Sequence, residues 1–447
     1  MERKSLFQLS WPLFINMFLA IGISFVDSLM ISQYSNDAAA AVSMANQILS
    51  VAYDVSALLS IGAAIYIAQM IGANRFDEAK KFASNSLVGG ALFGLIITII
   101  LIACSPILLK LVNTPDEIRS DTMIYLAISA ISLMANGLFI GGASVLRSFS
   151  KTKDILILGI FANVFYLLFS YALIFGEFGV PELGVKGSAL ATLLIRVLGS
   201  ILLLIVIWKR LGITLRFSIK DMYHDSIKMI RVAYPSVGEN MLYNIYQLVI
   251  VSLIGILGVS SILTRSYVLT VTAFVSLFTI TLTQANDILV GYAKGNGETE
   301  KAYHRGIKTS ILNAIICTSI AAIIAIFSHP LIGMFTEQKE IVRLTTIVLW
   351  INVFIQPAQA IQMVLFSSLK SVGETIKPAL WNIGTTWLLA VPLAIVGIKI
   401  FHLGLPFIWS IFIVEEILKA IWMYRLWKKR SWIKNRLVED TELRVIS

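Results

Sequence analysis

Long runs of apolar residues, separated by short polar segments, recur along the whole chain. The first run is SWPLFINMFLAIGISFVDSLM, at residues 10–30. A helix of about 20 apolar residues crosses the roughly 30 Å hydrocarbon core of a bilayer. The pattern therefore predicts an all-α polytopic membrane protein with twelve transmembrane helices. The approximate spans are 8–33, 40–70, 82–110, 120–145, 154–176, 185–208, 233–258, 261–293, 305–336, 340–368, 376–400 and 405–427.

The first span carries a carboxylate, Asp27, fifteen residues after Pro12. Proline kinks or loosens a helix, so we expect a bent first helix. An ionisable group within a membrane is costly and usually marks the path of an ion or substrate. Asn16 lies eleven residues earlier on the same helix face, where both side chains would border an aqueous groove. Alternatively, Asp27 lies near the outer interface and is held by headgroup water or a polar neighbour.

Composition excludes a soluble protein. Hydrophobic residues make up 57% of the chain and charged residues 14%, and the mean hydropathy is +0.83. These values lie far outside the range of soluble globular domains. Cys104 and Cys317 both fall within spans, so the sequence predicts neither a disulfide framework nor a structural metal site.

The net charge of +10 is distributed unevenly between the loops. The N-terminus, alternate loops and the tail carry most Lys and Arg residues, which indicates by the positive-inside rule that both termini are cytoplasmic. We therefore expect a multi-pass protein of the cytoplasmic (inner) membrane and no nucleic-acid partner. The tail sequence LWKKRSWIKNR is typical of contact with membrane lipids, although simple retention in the cytoplasm explains it nearly as well.

The chain also repeats itself at a constant offset. The residue numbers of Pro12 and Pro235 differ by 223, and further pairs share that separation without a gap. The offset is close to half of the 447-residue length, which indicates duplication of a six-helix unit. A six-span unit keeps its orientation when repeated, so the halves are expected to be parallel repeats. The further pairs are Gly72/Gly295, Ala79/Ala302, Leu146/Leu369, Arg147/Lys370, Ser148/Ser371 and Thr152/Thr375.

This duplication predicts the domain organisation. The divisions are an N-terminal lobe at 1–208, a cytoplasmic linker at 209–232, a C-terminal lobe at 233–427 and a basic cytoplasmic tail at 428–447. One chain would then hold a complete pathway, and we expect it to function as a monomer.

Several motifs, in order along the chain, resemble those of the multidrug and toxic compound extrusion (MATE) family. The first half has P-x14-D followed by SLMIS, then AQMIGANRFDEA, SVLRSFSKT and LIFGEFGVPELGVKGSALAT. The second half has PSVGEN, LVGYAKGNGETEKA and SSLKSVGETIKP. The resemblance covers essentially the whole chain and implies two six-helix lobes forming a V-shaped cavity. It also implies export of small amphipathic compounds, mostly organic cations, in exchange for protons or sodium ions, without a cofactor.

The resemblance carries the family's ion-coupling residues onto particular positions. The first-helix acid falls on Asp27, and the threonine of the G-x-A-x-A-T run falls on Thr192. In the fifth span the family usually offers Asn, then Asn or Asp, at positions occupied here by Tyr166 and Ser170, with Asn163 about one turn earlier. These departures leave the coupling ion open between a proton and a sodium ion bound at Asp27.

Six further polar residues are candidates for the substrate cavity. Asp54 and Gln47 share a face of the second span, although its outer end could simply lie in water. Glu239 would favour a cationic substrate, and Tyr243 could contact one through its ring, although a packing role is common for such aromatics. Some family members have an Asp where this chain has Gln359, so a complete ion site in the second lobe is not expected. The candidates are Asn16, Gln47, Asp54, Glu239, Tyr243 and Gln359.

Two charged residues in the last span have a different interpretation. Glu415 and Lys419 are four residues apart, in the favourable order for an ion pair on a helix. Arg196 is the repeat counterpart of Lys419, because their residue numbers also differ by 223. A cation on the last helix of each half therefore predicts a packing role for this pair.

Two other functions remain to be weighed. A flippase for a lipid-linked sugar or another amphipathic lipid is the alternative within transport, although its cavity would be expected to carry several cations for a pyrophosphate group. A membrane-embedded enzyme would need a clustered nucleophile, a histidine pair or a metal set. The sequence shows none of these, so we do not expect an enzyme.

Overall fold

The computed structural model describes residues 4–112, 114–215, 218–435 and 437. Within these ranges the chain is helical, with short turns between the helices and no β-strand.

Among the described residues, seven α-helices make up the first half of the chain. The second predicted span is built from two of them, α2 and α3, which are separated at Ala57. A left-handed residue, Gly176 with φ 74°, ends α6, as is common at helix C-termini. The helices are α1 (Leu6–Tyr34), α2 (Asn36–Ser56), α3 (Leu58–Gly72), α4 (Phe76–Leu111), α5 (Asp116–Ser148), α6 (Thr152–Phe175) and α7 (Val185–Leu211).

Eight α-helices follow in the described part of the second half. A π-helical segment, Thr386–Ala390, joins α13 to α14 just before Pro392. Proline lacks an N–H donor, and π-helical turns are a usual way to absorb the resulting disruption of the helical hydrogen bonds. The helices are α8 (Ile219–Ile256), α9 (Val259–Gly295), α10 (Thr299–Ile326), α11 (Ser328–Gly333), α12 (Lys339–Ser371), α13 (Ile376–Thr385), α14 (Val391–Lys399) and α15 (Leu405–Lys429).

Each of the twelve predicted spans corresponds to a helix or a helix pair. In the described part of the chain, eleven are long and apolar enough to cross a membrane. The last predicted span, α15, has 25 residues but places Glu415, Glu416 and Lys419 within its apolar stretch. The fold is thus that of an all-α polytopic membrane protein, with two glutamates and a lysine in the middle of its twelfth span.

The chain divides into two compact units. The first consists mainly of Trp11–Tyr234, and the second consists of Ser5–Ser10 together with the chain from Pro235 onward. One boundary therefore falls inside α8, beside its internal proline. The short N-terminal piece belongs to the second unit because Leu9 is fully buried against Ala285 and Ile288.

Each unit is organised around one long helix. In the first unit, α5 packs against α2, α4 and α7; in the second, α12 packs against α9, α10 and α15. Residues 348 and 349 of α12 are buried with apolar residues of α8, α9 and α15 in one large core cluster. The central helices fix the positions of the flanking helices that carry the candidate site residues.

The predicted linker is partly helical. After α7 ends at Leu211, the chain resumes as α8, whose first turns belong to the first unit. Lys81 pairs with Asp221 at 2.6 Å, and the amide nitrogen of Asn85 donates to Asp225 at 2.7 Å. Residues 216 and 217 of the predicted linker, and residues 436 and 438–447 of the predicted tail, lie outside the described residues.

Candidate functional site

Asp27 lies on α1 and faces α6. Its Oδ1 atom accepts a hydrogen bond of 3.0 Å from the hydroxyl of Ser170, which is fully buried. The hydroxyl of Tyr166, one turn earlier on α6, also hydrogen-bonds to Asp27. The structure thus joins the acid to the two α6 positions predicted from the sequence.

The alignment of α1 with α6 explains why Asp27 contacts Ser170 and Tyr166. Asn16, eleven residues before Asp27, rests its side-chain oxygen against Gly159, eleven residues before Ser170. Two contacts at equal spacing show that the helices run parallel and in register over about 16 Å, at 1.5 Å per residue. A side chain at residue 159 would collide with Asn16, so glycine allows the close approach.

Thr192 and Tyr125 complete this part of the site. The Tyr166 hydroxyl hydrogen-bonds to Thr192 as well as to Asp27, and the Thr192 hydroxyl donates to the carbonyl of Ser188 at 3.1 Å. Tyr125, on α5, is buried and pairs with Ser188 and Thr192. Sequence reasoning missed Tyr125, because a single tyrosine in an apolar span has no distinguishing pattern.

The other first-half candidates occupy different environments. Asn163 is half-buried on α6, about one turn before Tyr166, and Asp54 is half-buried near the end of α2. Gln47 is exposed on α2, where its amide nitrogen contacts the sulfur of Met44 at 3.9 Å. The hydrogen bonds described above therefore connect Asp27, Tyr166, Ser170 and Thr192. Asn163 lies about one turn before Tyr166 on α6.

The oxygen atoms around Asp27 determine what can bind there. A carboxylate surrounded by hydroxyls can accept a proton, or it can bind a hard cation through oxygen ligands. In the described residues, no group of three or more His, Cys, Asp or Glu side chains could hold a metal ion.

The second unit contains a polar cavity of about 200 Å³. Tyr243 of α8 and Gln359 of α12, two of the predicted substrate-cavity residues, both line it. The Tyr243 hydroxyl accepts a hydrogen bond of 2.7 Å from Gln247, and Gln359 accepts one of 3.2 Å from Gln356. Glu239 lies one turn before Tyr243 and accepts a bond of 3.2 Å from Asn382.

The predicted ion pair on α15 is formed, and its acid, Glu415, lines the same cavity. The Nζ atom of Lys419 lies 2.6 Å from Glu415 and 3.5 Å from Glu416. Tyr246 and Thr386 also donate hydrogen bonds to Glu415. Sequence reasoning missed Glu416 and Thr386, although two adjacent acids in mid-span, Glu415 and Glu416, were a signal that could have drawn attention to Glu416.

Comparisons with known sequences identify relatives along almost the whole chain. The family model MatE matches twice, at residues 12–172 and 235–396, so the two matches start at the same repeat offset as Pro12 and Pro235. The chain is 30% identical to the uncharacterized transporter YisQ of Bacillus subtilis, over 96% of this chain and 95% of YisQ. It is 27% identical to the probable multidrug resistance protein NorM of Thermotoga maritima, over 98% and 96% of the two chains.

Solved structures share the fold. A variant of the Vibrio cholerae MATE transporter VcmN superimposes with a TM-score of 0.86 at 18% identity, over 96% of this chain and 97% of that one. A MOP superfamily transporter from Pyrococcus furiosus gives 0.84 at 20% identity, over 96% of each chain. Members of this family are transporters rather than enzymes and need no cofactor. With two matches to the family model and relatives along its whole length, the chain belongs to the MATE family of multidrug efflux transporters.

Proposed function

We propose that this protein is a secondary active antiporter, which exports amphipathic, mostly cationic compounds in exchange for a proton or sodium ion held at Asp27. The observation that carries the proposal is the pairing of Asp27 with two α6 hydroxyls, those of Ser170 and Tyr166. Hydroxyl groups are uncharged, so they orient the carboxylate without neutralising it. A bound ion would supply the missing positive charge.

Coupling follows from the cost of an uncompensated charge in a membrane. An ionised Asp27 is costly within a closed apolar environment and tolerable when water or a cation reaches it. Binding a proton or sodium ion would therefore favour states in which the site is shielded, and releasing the ion would favour states in which it is hydrated. Such differential stabilisation of two states is what lets an ion gradient drive transport.

A proton and a sodium ion differ in the number of ligands that each would require at Asp27. A proton requires the carboxylate alone, whereas a sodium ion requires several oxygen ligands. The hydroxyls of Ser170, Tyr166 and Thr192 and the side chain of Asn163 are the available candidates for that shell. The transport experiment below therefore tests a proton gradient and a sodium gradient separately.

The proposed substrate path uses acidic and aromatic residues. Glu239 would attract a cationic substrate, and Tyr243 could contact it through its ring. Asn16, Gln47, Asp54 and Gln359 are the remaining candidates for this path. Small organic cations and membrane lipids are the expected partners, and one chain is expected to be sufficient.

We propose an inner-membrane location with both termini in the cytoplasm, because Lys and Arg residues concentrate on the loops of one side. A fluorescent protein that folds only in the cytoplasm, fused after residue 447, tests this orientation. Fluorescence is expected. A dark fusion that is nevertheless inserted in the membrane would contradict the proposed topology.

The decisive experiment is transport of a fluorescent organic cation into proteoliposomes under an imposed proton or sodium gradient. The native protein and the Asp27→Asn variant are compared, with Asp37→Asn as a matched control because Asp37 is exposed at the start of α2. We expect one gradient to drive transport in the native protein and in the control. Gradient-driven transport should be lost in Asp27→Asn, and the effective gradient identifies the ion.

The flippase alternative is tested in the same vesicles with a fluorescent lipid. Its expected cations are already engaged here: Lys419 contacts two carboxylates, and Arg196 lies over the rings of Tyr53 and Phe139 at 5.8 and 5.7 Å. Lipid flipping without gradient-driven cation transport would overturn the antiporter proposal.

A further inference from the structure

The C-terminal unit contains a polar cluster that the proposed ion site does not use. It joins α15 to α8 and to the π-helical segment between α13 and α14, and it borders the cavity of about 200 Å³. Two acids and one base lie within it. The two acids differ in the number of donors that contact their carboxylate oxygens.

Glu415 is fully compensated. Its Oε1 atom accepts hydrogen bonds from Lys419 at 2.6 Å and Thr386 at 2.7 Å, and its Oε2 atom accepts one from Tyr246 at 3.1 Å. It is only 2% exposed. One ammonium and two hydroxyl donors are the environment that keeps a buried carboxylate ionised.

Glu416 is not compensated in this way. Its Oε1 atom lies 3.5 Å from Lys419, whose closer contact is to Glu415. Its Oε2 atom is buried and has no hydrogen-bond partner among the described residues. With both acids ionised, the three side chains carry a net charge of −1, and a buried carboxylate oxygen without a donor is costly.

The internal repeat places this cluster at the counterpart of the Asp27 site. Subtracting 223 maps Glu415 onto Thr192 and Thr386 onto Asn163, both of them predicted ion-coupling positions of the first lobe. The second lobe therefore keeps polar groups at the same two helix positions, on its fifth and sixth spans. The two acids of this cluster lie on the last span of the second lobe, whereas Asp27 lies on the first span of the first lobe.

We infer that Glu416 is a second binding site for a single positive charge, in the C-terminal unit at the wall of its polar cavity. The ligand is a proton or a sodium ion. In the protonated state, the proton is taken from water onto the free Oε2 atom and returned to water on release. The inference builds on the proposed antiport, because it adds a second exchangeable charge to the same protein.

The surrounding charges limit the site to a monovalent ion. Glu415 and Lys419 on α15 balance each other, and Glu239 on α8 interacts electrostatically with Glu416. Arg265 of α9 also lines the cavity, where its guanidinium donates to Gln247 at 3.1 Å. A positive arginine in the same cavity opposes a divalent cation. The side chains that complete the lining are aromatic, amide, hydroxyl-bearing or aliphatic, and they add no further charge.

Infrared difference spectroscopy of the purified full-length protein in lipid reports directly on a protonated carboxyl group. We expect a protonated-carboxyl band that is absent from Glu416→Gln and retained in Glu416→Asp, which keeps the titrating group. Glu340→Gln is the matched control, since Glu340 is exposed at the start of α12. Loss of the band when the pH is raised indicates a proton site, and loss on adding sodium rather than choline at constant pH indicates a sodium site.

The number of ions exchanged per substrate provides a second measurement. Reversal-potential experiments in proteoliposomes should show a ratio lower by one in Glu416→Gln than in the native protein and Glu340→Gln. A purely structural ion pair would lower thermal stability without changing this ratio. Spectra that are identical in native protein and Glu416→Gln, or a Glu416 band unchanged by both pH and sodium, would overturn the inference.

The two proposals fail in distinguishable ways. If Asp27→Asn abolishes coupled transport while Glu416→Gln leaves the spectra and the ratio unchanged, antiport stands and the second site is wrong. If the exchangeable Glu416 band is present but neither gradient drives transport, the second site stands and the antiport proposal is wrong.

Discussion

The two lobes solve the same problem, a carboxylate within a membrane-spanning unit, with different chemistry. In the first lobe, Asp27 on α1 accepts hydrogen bonds from hydroxyl groups of α6. In the second, Glu415 on α15 has an ammonium group, that of Lys419, at 2.6 Å. An acid held by hydroxyls alone needs an ion from outside, whereas an acid paired with lysine is neutralised within the protein.

The repeat shows how this divergence arose on one framework. Ile250 occupies the second-lobe position equivalent to Asp27, and Thr192 occupies the first-lobe position equivalent to Glu415. The fold holds an aspartate in one lobe and an isoleucine at the equivalent position of the other, and likewise a threonine and a glutamate at the second pair of positions. Neither acid is therefore required by helix packing itself. Difference between the lobes is therefore a guide to function, and similarity between them is a guide to architecture.

The largest expected effect comes from removing the lysine of the second lobe. Lys419→Met leaves the buried Glu415 and the half-buried Glu416 without their cation, and breaking a buried ion pair from one side costs about 3–5 kcal/mol. Arg196→Met is the matched change in the first lobe, where the guanidinium lies over Tyr53 and Phe139. Contacts of this kind contribute about 0.5–2 kcal/mol.

Denaturant unfolding in mixed micelles measures both free energies of unfolding. The double variant Glu415→Gln/Lys419→Met removes the pair together and should recover much of the loss, because an uncompensated charge no longer remains at that position. Equal losses in Lys419→Met and Arg196→Met would show that the two cations play the same packing role and that the lobes differ less than their contacts indicate.

Much of the fold follows from the sequence, because the length of an apolar run alone decides whether it can cross a bilayer. The same reasoning could not predict the break at Ala57 or the π-helical segment Thr386–Ala390, which depend on local backbone hydrogen bonding. It also could not predict α11, a six-residue helix too short to give a periodic pattern.

The candidate site was predicted less completely, for a related reason. Ser170 and Tyr166 meet Asp27 as the family pattern implied. Tyr125 was missed because its importance depends on which helices are lateral neighbours, and a single sequence carries little information on that packing. Glu416 is adjacent to Glu415 in the sequence, but the lack of a hydrogen-bond partner for its Oε2 atom among the described residues is visible only in the folded structure. The internal repeat relates Glu415 and Thr386 to Thr192 and Asn163, but this relation points to a site only in combination with the contacts of the second lobe.

A smaller effect is expected from deleting one hydroxyl donor in each lobe. Ser170→Ala removes a hydrogen bond to Asp27, and hydrogen bonds to charged groups contribute about 1.5–3 kcal/mol. We expect the half-saturating concentration of the coupling ion in proteoliposome transport to change by about tenfold or more, since 1.4 kcal/mol corresponds to a factor of ten. Thr386→Val removes a donor from Glu415, which keeps two others, and should leave this concentration nearly unchanged. A larger change in Thr386→Val would place the principal ion site in the second lobe.

The smallest effect is expected at the helix crossings beside the central helices. In the first lobe, α5 and α4 approach so closely that a Cβ atom at Gly137 would collide with the carbonyl of Gly90. The equivalent second-lobe positions, at the same repeat offset, are Ala360 and Asn313, both fully buried. Gly137→Ala should destabilise the protein by about 1–3 kcal/mol through overpacking.

The reverse change, Ala360→Gly, introduces no collision. It should cost about 1 kcal/mol, because glycine is less favourable than alanine within a helix. Thermal unfolding in detergent compares the two variants. If Gly137→Ala is as stable as the native protein, the first-lobe helices can separate at their crossing. The contrast between the lobes would then be confined to their polar sites, with no difference in how tightly their helices pack.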